Sequence, residues 1–171
     1  MTISAELRPV DPTTQELWDV VKVVPDPEVP VLTIEDLGIL RGVELADGKP
    51  VVTITPTYSG CPAMGTISAD VTAALENAGY EDAEVKLVLT PAWTTDWMSD
   101  EGKRKLEEYG IAPPTGKSAV NSGPVIVPMA VKCPQCHSLS TREITRFGST
   151  ACKALYTCND CLEPFDYFKV H

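Results

Sequence analysis

The chain has 171 residues, of which 43% are hydrophobic and 22% charged, with 24 acidic against 14 basic side chains and a formal net charge of -10. This is a core-forming composition that excludes intrinsic disorder, and the acidic excess opposes any whole-surface grip on phosphate backbones or anionic membranes, so nucleic acid and membrane are not expected partners. No apolar stretch approaches a bilayer span and the opening Met1-Thr2-Ile3-Ser4-Ala5-Glu6 has no signal pattern, so the expected location is the cytoplasm, where six cysteines serve as metal ligands or reactive thiols rather than disulfides.

The first element is a helix. Thr13-Thr14-Gln15-Glu16 has capping-box spacing, and Leu17, Val20, Val21 and Val24 follow at helical intervals until Pro25. Asp26-Pro27-Glu28-Val29-Pro30 then sets two carboxylates between prolines in a rigid extended segment, which taken alone reads as a solvated loop. Ile39 to Leu45 and Val51 to Thr57 flank Asp47-Gly48, a dipeptide that tolerates the positive φ of a tight hairpin. Met64, Ile67, Val71, Ala74, Leu75 and Ala78 share the face of a second helix ending at Gly79. Glu84 to Thr90 is strand-like, and Ser99-Asp100-Glu101 opens a short charged helix that runs to Gly110. The fold class expected is α+β: a small mixed sheet with α-β-β-α-β-α order, the strand after the crossover helix lying parallel to the one before it.

Beyond Gly110 the stretch 111–128 is punctuated by proline, glycine and serine without sustained periodicity and reads as a linker. Three segments result: a domain over 1–110, the linker, and a module over 129–171. Residues 1–110 carry 20 acidic and 8 basic groups, whereas 129–171 carry 4 and 5; the acidity belongs to the first domain.

The module holds Cys133-Pro134-Gln135-Cys136 and Cys158-Asn159-Asp160-Cys161, two Cys-x-x-Cys knuckles separated by 21 residues. Two such knuckles complete a thiolate tetrahedron, which suits Zn²⁺; iron or an iron–sulfur cluster is the less fitting alternative for this spacing. The β-rich stretch between them, with Gly148-Ser149, reads as a hairpin, and Phe165, Tyr167 and Phe168 are placed to cover the site. So small a module cannot bury enough apolar surface unaided, so structural zinc would supply its stability. Cys152 reads as a packed side chain, and His137 and His171 carry no assigned chemistry.

Cys61 differs from these. It precedes Pro62 at the start of the second helix, where unpaired N–H groups and the helix dipole would lower a thiol pKa; a buried apolar cysteine is an equally fair reading of that position. Both histidines lie in the module, so the first domain lacks the usual general base of a Cys-His hydrolase, and no phosphate-binding or dinucleotide-binding glycine motif is present. Trp93 and Trp97, with Met98, lie in one loop. Core packing accounts for one tryptophan; an exposed pair would form a docking surface for a client protein.

Asp26-Pro27-Glu28-Val29-Pro30 with Asp36-Leu37-Gly38, then Ser59-Gly60-Cys61-Pro62, then Trp93-Thr94 to Trp97-Met98-Ser99, in that order and spacing, resemble the iron–sulfur assembly family that includes SufT, over roughly residues 15 to 110. With the C-terminal ribbon, the chain resembles members that serve phenylacetate degradation beside a multicomponent phenylacetyl-CoA ring epoxidase. The resemblance implies a non-enzymatic accessory role, assembling an iron–sulfur or di-iron centre for the oxygenase or reductase components of that system. It also implies that Cys61 is the functional thiol and that Asp26 and Glu28 form the family's acidic motif. A single thiolate cannot hold a cluster, so transient iron or cluster binding would draw further ligands from those carboxylates, a partner protein or a second protomer in a homodimer. The competing reading is a scaffold of the oxygenase complex that never touches iron.

Overall fold

The structure is a computed structural model that describes residues 7–115 and 130–171; the opening residues and most of the expected linker lie outside the described residues. The chain clusters into two units, one running to Trp93 and including Trp97–Gly102, the other made of Thr94–Asp96 and Lys103–His171.

In the first unit, helix α1 spans Pro12–Val21 and buries Leu17, Trp18 and Val21. Its cap is Asp11, whose carboxylate accepts from the Thr14 backbone N–H at 3.0 Å, with Pro12 at the first helical position. The start therefore lies upstream of the expected capping box: Asp11 supplies a stronger acceptor than Thr13, and proline's preset φ suits the position after it. Strands β1 (Leu40–Ala46) and β2 (Lys49–Ile54) are antiparallel. Asp47 and Gly48 join them at φ 52 and 79, the paired positive values a two-residue hairpin requires.

Helix α2 (Ala63–Asn77) buries Met64, Ile67, Val71 and Leu75, and crosses over to β3 (Glu84–Leu87), which pairs parallel to β2. The helix closes as its sequence predicts: Tyr80 N–H donates to Leu75 O at 3.0 Å and Gly79 N–H to Glu76 O at 2.9 Å, with Gly79 at φ 90. The sheet order is β1-β2-β3. Between α1 and β1 the chain folds back on itself, Asp26 N–H donating to Leu32 O at 2.9 Å, and packs Leu32, Ile34, Leu37 and Ile39 into the core.

Helix α3 (Asp100–Tyr109) is capped by Ser99, whose hydroxyl accepts from the Gly102 N–H at 2.8 Å. The α-β-β-α-β-α order and the mixed sheet match expectation.

The second unit carries a four-stranded sheet of order β4-β7-β6-β5, built from β4 (Ile111–Ala112), β5 (Thr141–Thr145), β6 (Lys153–Cys158) and β7 (Pro164–Phe168). β5 and β6 form the hairpin expected between the knuckles. Ile111 and Ala112, the first residues of the expected linker, instead pair with Asp166 and Tyr167 in parallel; an apolar pair directly after the Gly110 turn finds a sheet edge where it is buried. Among the described residues no helix is long and apolar enough to cross a membrane.

Candidate functional site

The four ribbon cysteines converge. Their sulfurs all lie within 4.8 Å of one another, with Cys133 to Cys161 at 3.7 Å and Cys136 to Cys158 at 3.5 Å. A tetrahedral ion with thiolate bonds of about 2.3 Å spaces its sulfurs about 3.8 Å apart, whereas a disulfide needs about 2.05 Å. The donor set and the spacing thus fit one tetrahedral metal ion held entirely by the chain. The two knuckles are built alike. Cys133 N–H donates to Ser138 O and Cys158 N–H to Glu163 O, and the residue after each second cysteine, His137 and Leu162, takes positive φ. The four thiols share their protons unequally: the N–H of Cys161, against some desolvation and with help from Asp160, holds the Cys158 thiol down to about 7, whereas, against the Glu163 N–H, desolvation and the neighbouring thiols push Cys161 up to about 12.

Cys133 and Cys158 belong to the core of this unit together with Val131, Phe165 and Tyr167, whereas Cys136 is exposed. Of the expected aromatic cover, Phe165 and Tyr167 join this core, with Tyr156 set edge-on to Tyr167 at 5.3 Å, whereas Phe168 is buried outside it. Cys152 is buried, its sulfur 3.0 Å from the Thr150 hydroxyl and outside the cluster. His137 is exposed and its Nδ1 lies 3.6 Å from Glu107, away from any ligand role.

Cys61 stands at the other candidate site, half-buried at the end of the Tyr58–Gly60 turn, where Gly60 takes φ 87. Helix α2 begins at Ala63 with Pro62 as its cap, so Cys61 precedes the cap rather than being it. The thiol pKa is raised, not lowered as its place in the sequence predicts. Burial is the largest cause, and the nearby carboxylates of Glu28 and Asp26 add to it. The Ala63 N–H and the Tyr58 hydroxyl near the sulfur pull the other way without prevailing.

The helix-terminus effect acts through that one amide, while the acidic pair arrives from a loop more than thirty residues earlier. The fold thus brings Cys61, Asp26 and Glu28 into one electrostatic neighbourhood. Asp26 is itself a structural residue: it is 7% exposed, and one of its oxygens accepts from the N–H groups of Glu28 and Val29, both at 2.8 Å. That turn presents Glu28, so the segment is an ordered hydrogen-bonded turn and not a solvated loop. Tyr58 was not singled out by the sequence; its only signal is a hydroxyl-bearing side chain three residues before the cysteine.

The expected docking pair is corrected by burial. Trp93 and Trp97 are 6% and 8% exposed. The Trp93 indole N–H donates to Leu37 O at 2.9 Å, and the Arg41 guanidinium lies 3.7 Å over the Trp97 ring. Both rings close over the 25–39 segment, so neither offers a free surface. The same segment is held by Asp36, whose carboxylate accepts from the Thr33 N–H and hydroxyl and from the Ser99 hydroxyl.

Residues 14–87 match the family described as iron-sulfur cluster assembly protein, and residues 119–169 match the PaaD zinc beta ribbon domain. The class that fold and sites define is therefore an iron–sulfur assembly domain joined to a metal-binding zinc ribbon. An Escherichia coli protein named for a subunit of 1,2-phenylacetyl-CoA epoxidase is 48% identical over 158 residues, covering 92% of this chain and 93% of that protein. The chain belongs to the PaaD family. A Porphyromonas gingivalis protein named Fe-S protein maturation auxiliary factor is 35% identical over 96 residues, 55% of this chain and 90% of that one. The crystal structure of a DUF59 domain of unknown function from Bacillus anthracis superposes with a TM-score of 0.51 at 31% identity, over 54% of this chain and 90% of its own.

Proposed function

We propose that this chain is a non-catalytic maturation factor for a phenylacetyl-CoA epoxidase system, handling iron or an iron–sulfur cluster in transit at Cys61 while its zinc ribbon docks the client. The observation that carries the reading is that the half-buried Cys61 thiol lies within electrostatic reach of Glu28 and Asp26, while among the described residues the close convergence of ligand atoms is in the ribbon cysteines. The negative field that raises the proton affinity of this thiol also raises its affinity for a cation, and a soft sulfur beside hard carboxylate oxygens suits Fe²⁺. One thiolate and carboxylates form an incomplete ligand set, which favours release to a client over retention. Support also comes from the relatives, which are named for Fe–S protein maturation or for a subunit of the epoxidase.

In the ribbon, Cys133, Cys136, Cys158 and Cys161 would hold zinc as a structural ion. Four thiolates fill its coordination sphere, so its contribution is to fold the knuckles into one body rather than to react.

The test is maturation of the epoxidase components with the wild-type chain or Cys61→Ser. The expected result is loss of client metallation and activity with the variant still folded. Full client activity with Cys61→Ser would leave the non-metallated scaffold as the better account. Metal analysis separates the two sites: iron should follow Cys61 and zinc should follow Cys133.

A further inference from the structure

Strand β3 is an edge of the first unit's sheet, and among the described residues no strand pairs with its outer side. The Val88 N–H donates to Ile54 O at 2.9 Å. Bonding alternates along a strand, so Glu84, Lys86 and Val88 bond inward to β2, while Val85, Leu87 and Leu89 turn their N–H and C=O groups to the open edge. The register sets Val85 beside Val52 and Leu87 beside Ile54. Those two β2 residues are fully buried, yet Leu87 and Leu89 are 52% and 60% exposed. An edge that combines free backbone groups with exposed leucines is a template for one more strand.

Charge decides which strand fits. Glu84 and Lys86 are exposed on the other face of the sheet, where the Lys86 ammonium lies 3.7 Å from the Glu44 carboxylate. An acid and a base two residues apart on one face make a strand that complements its own copy run antiparallel. A two-fold pairing centred on Lys86 would set lysine against lysine. One centred on Leu87 would draw in residues 88–90, beyond the end of β3, and would leave Lys86 opposite Val88. Centred on Val85, the pairing sets Glu84 opposite Lys86 of the second copy, and by symmetry Lys86 opposite Glu84. Both are non-hydrogen-bonded pairs, in which facing side chains stand closest. The same register lays Leu87 against Ala83 and Val85 of the second copy, which removes its apolar surface from water.

We propose that a second copy of this chain adds antiparallel to β3 in the register centred on Val85, joining the two three-stranded sheets into one. The interface is isologous, with Ala83, Val85 and Leu87 supplying its backbone hydrogen bonds and the Glu84–Lys86 pairs its register. It stands independently of the iron-handling reading of Cys61.

The experiment is sedimentation equilibrium of the full chain with its zinc retained, with circular dichroism as the check on folding. Wild type should populate a dimer as concentration rises. Glu84→Lys and Lys86→Glu each set like charges opposite one another twice, so each should weaken self-association by about tenfold or more. An equal mixture of those two variants restores both opposite-charge pairs and should form a heterodimer as strong as the wild-type dimer. Leu87→Pro removes an N–H that β2 does not use, so it should abolish the dimer and leave the fold intact. A wild-type chain that stays monomeric at every concentration would overturn the inference. So would a dimer indifferent to the single reversals or to Leu87→Pro, or a mixture that associates no better than its components.

Discussion

Gly38 lies directly against the backbone of Trp97: a Cβ built on this glycine would stand 2.4 Å from the Trp97 carbonyl oxygen, and its φ is +71. A side chain here meets both a steric wall and a left-handed backbone, and the wall is backbone that has no rotamer to give. Because Trp97 and Trp93 close over residues 25–39, this contact seats the acidic turn that faces Cys61. Gly38→Ala should lower stability by about 3 kcal/mol or more, measured by urea denaturation followed through tryptophan emission. A loss below 0.5 kcal/mol, on the order of an ordinary surface substitution, would show that the contact is not needed.

Asp26 separates charge from structure. Asp26→Asn keeps an oxygen to accept from the Glu28 and Val29 N–H groups, whereas Asp26→Ala leaves both donors unpaired at a cost of about 1–3 kcal/mol. The asparagine variant should retain the wild-type melting temperature and bind less iron at Cys61; the alanine variant should melt earlier. Equal melting temperatures for the two would remove the structural role assigned to this side chain.

The raised pKa of Cys61 is checked by its reactivity. Thiolate is the nucleophile, so at neutral pH Cys61 should alkylate slowly, with the rate rising through a midpoint above that of an ordinary cysteine thiol. Since the Glu28 carboxylate contributes to the raised value, Glu28→Gln should shift the midpoint down. Peptide mass spectrometry after iodoacetamide treatment at stepped pH reads this residue separately from Cys152 and the ribbon cysteines. A midpoint that stays put or moves up in Glu28→Gln would contradict the electrostatic coupling.

Metal removal should unfold the ribbon. A zinc chelator at neutral pH, or Cys133→Ser, should abolish the dispersed resonances of β5 to β7 while those of α2 and β1 to β3 remain dispersed. The ion's contribution, roughly 10–16 kcal/mol in small zinc peptides, exceeds what so small a sheet gains from burial. Survival of those resonances in metal-free protein would show that the ribbon folds without its ion.

Much of this was legible from local pattern. The knuckles are read from a spacing of two residues, and the structure brings their four sulfurs together because each knuckle is a turn closed by its own backbone hydrogen bonds. The Asp47-Gly48 hairpin and the Gly79 stop are likewise decided within a few residues. The tryptophans were not legible in this way: burying them depends on Leu37 and Gly38, about sixty residues earlier in the chain. The pKa of Cys61 misled for a related reason. The amide at the helix start is a local feature visible in the sequence, whereas burial and the carboxylates at 26 and 28 arrive only when the chain folds back.

By itself, the sequence determined the element order, the acidic character of the first domain, the four-cysteine module and the singling out of Cys61, because these rest on short-range periodicity, turn chemistry and ligand spacing. Only the tertiary structure decided that Asp26 is a buried turn-former, that the thiol of Cys61 is raised rather than lowered, and that the tryptophans are core. Each depends on burial and on charges distant in the chain, and desolvation and Coulomb interaction follow spatial distance rather than sequence distance.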